Sequence, residues 1–232
     1  MEYLVPILMC ALFLFGCFVL CRFILFLYTF FTKRALLRAQ TLDPRAAEAL
    51  LSLYFGESTL YLARYFPYRT PTRTMYREIP CILMLGRRIF VLEFCPVGGI
   101  LHNTDEETWT VTRPALRGRK KEIRIRNPIL EAKTKADTLR ELIAAVKLPF
   151  SVSVEPIAVL TAKQHKLDEP DREGICILPE ALKRLRTYLP KNKAGRKRMQ
   201  KENQALEKIL QRYSVSPRQA AAKNAPPRQK KR

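Results

Sequence analysis

The chain has 232 residues, with 42 Lys and Arg against 21 Asp and Glu and a formal net charge of +21. That balance points to polyanionic partners: nucleic acid, or the anionic face of a membrane. The six cysteines form no CxxC pair and lie in apolar or strand-like runs, which excludes a disulfide-built domain and fits free thiols in a reducing compartment.

Val5 to Phe31 is apolar with one charge, Arg22. A bilayer span needs about 20 such residues. The run is too long for a signal-peptide core, has no basic segment before it, and is followed by no small-residue cleavage site. Residues 4–31 are therefore read as a retained, single-pass transmembrane anchor, with Arg22 snorkelling toward one interface. Lys33, Arg34 and Arg38 follow, so the positive-inside rule places the C-terminal domain in the cytoplasm. Residues 33–46 make a juxtamembrane linker and a helix start, where Asp43 suits the cap and Pro44 the first turn.

A helix is expected next. Leu50, Leu53, Tyr54, Leu60 and Tyr61 recur at helical spacing, with Glu57 at the edge of the buried side. TMYREIPCILML and RIFVLEFC read as strands joined tightly at Gly86–Arg87, with Pro80 weakening the pairing because it has no N–H to donate. A short strand surrounds Trp109. Asn127–Pro128 introduces an amphipathic helix carrying Leu139, Leu142, Ile143 and Val146. The strands SVSVEPIAVLTA and GICILP and a helix near Pro179 complete a layered α/β or α+β domain over residues 47–190. Residues 191–232 carry 14 Lys or Arg and read as a basic, mostly disordered tail with one short helix at 198–213.

The order of features in this domain resembles the nuclease-related domain (NERD) family, akin to the PD-(D/E)xK nucleases. Those features are Gly56–Glu57, the hairpin EIPCILMLGRRIFVLEF, the turn Gly98–Ile100, Trp109, Asn127–Pro128 and the late strand VEPIAVLTA. The resemblance implies a restriction-endonuclease-like mixed sheet flanked by helices, and metal-assisted phosphodiester hydrolysis. In that chemistry an aspartate and a glutamate bind Mg²⁺ or Mn²⁺, and a lysine two residues after the glutamate assists the attacking water. Carried over by position, Glu93 matches the glutamate and sole expected metal ligand, Glu57 the helix glutamate, and Glu131 a helix glutamine. Pro80 stands at the aspartate position and Cys95 at the lysine position. A proline binds no metal, and a thiol is a soft ligand poorly matched to Mg²⁺. A rebuilt site would draw on Glu57, Glu78, Glu93 and Glu131, with an amine from Lys133 or Lys135.

The remaining chemistry-bearing residues divide simply. His102 and His165 have no metal-ligand spacing, and the glycine turns lack a phosphate-loop context. Arg113, Arg117, Arg119, Lys120, Lys121, Arg124 and Arg126 form a basic stretch just before the Asn127–Pro128 helix, suited to gripping phosphates of DNA or RNA. Three functions follow as expectations. The first is a membrane-anchored nucleic-acid-binding pseudoenzyme with lost or weak phosphodiesterase activity. The second is an active Mg²⁺- or Mn²⁺-dependent nuclease with the rebuilt carboxylate site. The third is a structural membrane protein whose basic tail binds anionic lipid or a protein partner.

Overall fold

The structure, a computed structural model, describes residues 4–38, 43–56, 59–103, 106–114, 120–146, 148–162, 165–167 and 173–225. The chain falls into two units, Met1–Ala39 and Gln40–Arg232. The first is one helix, α1 (Leu4–Arg38), within which Leu12–Ala35 is long and apolar enough to cross a membrane. Phe13, Leu14, Phe15 and Phe26 are among its many exposed large apolar side chains.

The second unit is α+β. Helix α2 (Pro44–Phe55) is capped by Asp43, whose carboxylate accepts from Ala46 N–H, and ends at Gly56 with φ +87°. The helix expected through Tyr61 therefore stops at Phe55. The sequence LYLARYFPYR, rich in aromatics, becomes strand β1 (Leu60–Arg69) instead. Strands β2 (Thr74–Leu85) and β3 (Arg88–Cys95) form the expected hairpin. Opposite Pro80, Ala63 adopts φ +46°, and the β1–β2 register runs past both, from Leu62↔Cys81 to Arg64↔Ile79.

Strands β4 (Gly99–Asn103), β5 (Thr108–Pro114) and β6 (Lys120–Arg126) follow, then α3 (Pro128–Ala144), β7 (Ser153–Leu160), β8 (His165–Leu167), β9 (Ile175–Ile177) and α4 (Leu178–Arg186). They build a five-stranded sheet ordered β1-β2-β3-β7-β9 and a four-stranded sheet ordered β6-β5-β4-β8. The parallel pair β3/β7 passes its chains directly into the parallel pair β4/β8. The start of β4 lies close against β5: a Cβ on Gly99, whose φ is +130°, would lie 2.6 Å from the Thr112 carbonyl oxygen. Strand β6 runs through the basic stretch before α3; its pattern KKEIRIR alternates, and Ile123 and Ile125 sit opposite buried Val111 and Trp109.

One core packs α3 and the helix α5 (Lys193–Tyr213) against the larger sheet. It joins Ile82, Met84, Ile89 and Val91 to Ala136, Leu139, Leu142, Leu206 and Leu210. The opposite sheet face meets α2 and α4, and a second cluster gathers Cys95, Leu101, Trp109, Val111 and Leu160 where the two sheets join.

The tail expectation changes most. Residues 193–213 form α5 and Pro217–Asn224 form α6, and both dock on the sheet domain. Buried Asn203 is the anchor. Its amide nitrogen donates to the Met84 carbonyl at 3.0 Å, and its oxygen accepts from Gly86 N–H at 2.8 Å. Asn224 likewise accepts from Tyr76 N–H at 2.8 Å and donates to its carbonyl at 2.9 Å. Charge composition argued for disorder, but these apolar and amide anchors outweigh it. Replacing Asn203 by Ala leaves two buried backbone groups without partners. We expect Asn203→Ala to lower unfolding stability by about 2 kcal/mol, read by urea unfolding followed through Trp109 fluorescence.

Candidate functional site

Strand β3 is buried on both sides, as a central strand must be. Ile89, Val91 and Glu93 alternate onto the face that meets α3. The strand thus delivers a carboxylate to the rim of an apolar layer. Helix α3 delivers its counter-charge. Asn127 caps that helix, its side-chain oxygen accepting from the N–H groups of Ile129 (3.0 Å) and Leu130 (3.3 Å), and Pro128 occupies the first turn. Asn127 also donates its amide to the Glu106 carbonyl at 2.8 Å, which ties the helix start to the β4–β5 turn. With its start fixed, α3 places Lys135 one turn below Glu131 and directly over Glu93.

The Lys135 ammonium lies 2.5 Å from Glu93 Oε2 and 3.8 Å from Glu131 Oε2. Arg126, at the end of β6, continues the chain of charges with 3.3 Å to Glu131 Oε1. The Glu93 and Lys135 side chains are only 19% and 12% exposed, so this pair is screened far less than a surface pair. Burial pushes the Glu93 carboxyl above the usual carboxylate range. The Lys135 charge and hydrogen bond pull it back, and the negative charges of Glu131 and Glu78 push it further up.

The other expected residues scatter. Glu78 is exposed and accepts from the Tyr65 hydroxyl at 2.9 Å; it reaches Glu93 only through longer-range repulsion. Glu57 lies outside the described residues. Cys95 is buried, and burial raises its thiol pKa; the Val97 N–H opposes that rise, Glu93 adds to it, and Arg113 opposes it. Among the basic residues, Arg113 is turned inward and donates to the Gly98 carbonyl at 2.5 Å. Arg117 and Arg119 lie outside the described residues. Lys120, Lys121, Arg124 and Arg126 are exposed on β6.

Pairing register sorts that strand. Arg126 faces Thr108, Arg124 faces Thr110, and Thr110 in turn faces His102 on β4. Directly opposed residues share a sheet face. The outer face of the smaller sheet therefore carries Lys120, Arg124 and Arg126 beside a line of threonines, interrupted by Glu122. Arginine and hydroxyl donors about 7 Å apart along a strand are the groups that hold phosphate oxygens.

Sequence reasoning passed over Glu48. It lies on α2 between buried Ala47 and Leu50, with its carboxyl pKa raised by burial, lowered by Arg45 and raised again by Asp43 and Glu78. Its position beside an apolar stripe was the available signal. Lys135 was named only as one of two amine candidates. Its i,i+4 spacing from Glu131 was the clue that singles it out.

The mixed sheet, with a carboxylate near the end of its central strand answered by a lysine from the helix after an Asn-Pro start, makes an α+β domain. The family model for the nuclease-related domain (NERD) matches residues 45–161, just over half of the 232-residue chain, and the chain belongs to that family. No curated protein and no solved structure matches it.

The resident divalent ion implied by such a family does not fit the described donors. Glu93 and Glu131 share an ammonium between them, Pro80 has no donor side chain, and Cys95 offers a buried thiol, a soft ligand. Among the described residues, no three His, Cys, Asp or Glu side chains are grouped as metal ligands.

Removing the ammonium strands Glu93. We expect Lys135→Met to lose about 3 kcal/mol of stability at pH 7, the scale for breaking one partner of a buried pair. The sign of the pH dependence follows from Glu93. A carboxyl whose folded pKa is raised favours the folded state when protonated, so this deficit shrinks as pH falls through that raised pKa and is full above it. The double variant Glu93→Gln/Lys135→Met recovers most of the loss. Urea unfolding of the three variants at pH 7 and pH 5 checks both statements; a deficit that does not change with pH contradicts them.

Proposed function

We propose that this chain is a membrane-anchored nuclease-related domain protein that holds nucleic acid and has little or no phosphodiesterase activity. The observation that carries the reading is the Lys135 ammonium seated on Glu93 and Glu131, where hydrolysis would call for a divalent cation. Pro80 and Cys95 support it, since neither supplies the oxygen donor or the amine that the reaction uses. The outer row of Lys120, Arg124 and Arg126 supports binding. It stands next to this site, because Arg126 itself pairs with Glu131. The apolar helix α1 supports anchoring, and Lys33, Arg34 and Arg38 at its C-terminal end support a cytoplasmic domain.

A second reading rests on the same pair. An amine beside a strand glutamate is a group that can orient water at a phosphate, and here a helix supplies it. One assay separates the two. The full chain in detergent is incubated with single- and double-stranded DNA and RNA, with Mg²⁺ or Mn²⁺, beside Glu93→Ala. We expect retention of nucleic acid without cleavage, or trace cleavage equal in both proteins. Cleavage that Glu93→Ala abolishes establishes the rebuilt nuclease.

A further inference from the structure

The folding of the tail changes what its charges can do. Helix α5 buries Asn203, Leu206 and Leu210 on one side. At 100° per residue, Lys193, Lys197, Lys201, Lys208 and Arg212 lie on the side opposite those three. All five are exposed, and none is in an ion pair among the described residues. The helix's acidic residues stay off this line. Glu202 is held by Arg87 and Arg198, both at 3.0 Å, and Glu207 accepts from Gln211 at 3.1 Å. The result is a row of five cations about 28 Å long by helix rise, spread over about 100° of the helix surface. Lys193/Lys197, Lys197/Lys201 and Lys208/Arg212 are like-charge pairs four apart, each unfavourable to the helix on its own. The helix keeps them because its buried side holds it in place.

The row is also separate from the Glu93 site. Met199 and Asn203 pack at Gly86, in the β2–β3 turn. Glu93 lies at the other end of β3, about 17 Å along the strand from Arg88. These cations therefore serve a second place on the domain.

We propose that the outer face of α5 is a second nucleic-acid-binding surface that takes the phosphate backbone as a linear polyanion. The inference rests on the nucleic-acid reading above and adds a contact to it. Two features select a nucleic acid over a lipid surface. A membrane-surface helix lays an apolar side into the acyl boundary, and α5 already uses its apolar side on the sheet. The exposed side offers cations interleaved with alanine and glutamine, along one rod and with no apolar stripe, which matches a chain of phosphates.

The test uses the full chain in detergent with a DNA duplex and a single-stranded RNA, each of about 20 nucleotides per strand, over a series of salt concentrations. One variant carries Gln at Lys193, Lys197, Lys201, Lys208 and Arg212; a second carries Gln at Lys120, Arg124 and Arg126. A third replaces the four α5 lysines by Arg and keeps the charge. The α5 variant is expected to lower the slope of log K against log salt by about 3–5, near 0.9 per duplex phosphate and 0.7 per single-strand phosphate released. The β6 variant lowers it separately, and the Arg variant leaves it unchanged. An unchanged slope in the α5 variant, beside a lowered slope in the β6 variant, overturns this surface and leaves the functional reading intact. No binding by the unmodified chain at low salt overturns both. Loss confined to vesicles of phosphatidylglycerol and phosphatidylcholine, with nucleic acid unaffected, also overturns it and assigns the row to lipid.

Discussion

An ionised carboxylate at the rim of a buried strand is costly to hold without a cation, and Glu93 takes its cation from Lys135. Much of the domain is arranged around that contact. The strand must be central, or Glu93 would be solvated. The helix must begin at a fixed point, or Lys135 would miss by a turn. Asn127 and Pro128 set that point, and Asn127 ties it to the chain just before β5. Arg77 adds a second brace from β2, donating to the Thr134 carbonyl at 3.1 Å and the Thr138 hydroxyl at 2.9 Å. Strand and helix are thus locked together by polar groups at the edge of an apolar layer.

Pro80 and Cys95 are held by the same architecture. Pro80 sits where the β1–β2 ribbon turns over, opposite the positive φ of Ala63. Cys95 belongs to the apolar cluster between the two sheets, with Trp109 and Leu101. Both residues serve the packing and pairing of the sheets. The surviving glutamate is neutralised by the protein itself.

Much of the architecture was legible in the sequence, because its signals are local. The β2–β3 hairpin followed from two apolar runs around Gly86, and α3 from its cap and spacing. Other parts were not. β1 continues the apolar pattern of α2, and the helix ends at Gly56, whose positive φ an apolar spacing does not announce. β6 hides an alternating pattern under a dense run of charge. α5 and α6 looked like tail because basic composition outweighs the few anchors, Asn203, Leu206, Leu210 and Asn224, that dock them. The family resemblance drew attention to Glu93, Pro80 and Cys95. They did not single out Lys135, because its pairing with Glu93 spans 42 residues and depends on how α3 lies over β3.

Two basic surfaces, at β6 and along α5, leave the domain cationic at both ends of its central strand, and the site between them already contains a cation. The central claim is that Lys135 fills the place of a divalent metal, and Mn²⁺ binding tests it most directly. The full chain and Lys135→Ala are titrated with Mn²⁺ and followed by electron paramagnetic resonance. We predict no stoichiometric binding by the unmodified chain and a gained site in Lys135→Ala, lost again when Glu93→Gln is added. Stoichiometric Mn²⁺ binding by the unmodified chain that Glu93→Gln removes would contradict the account.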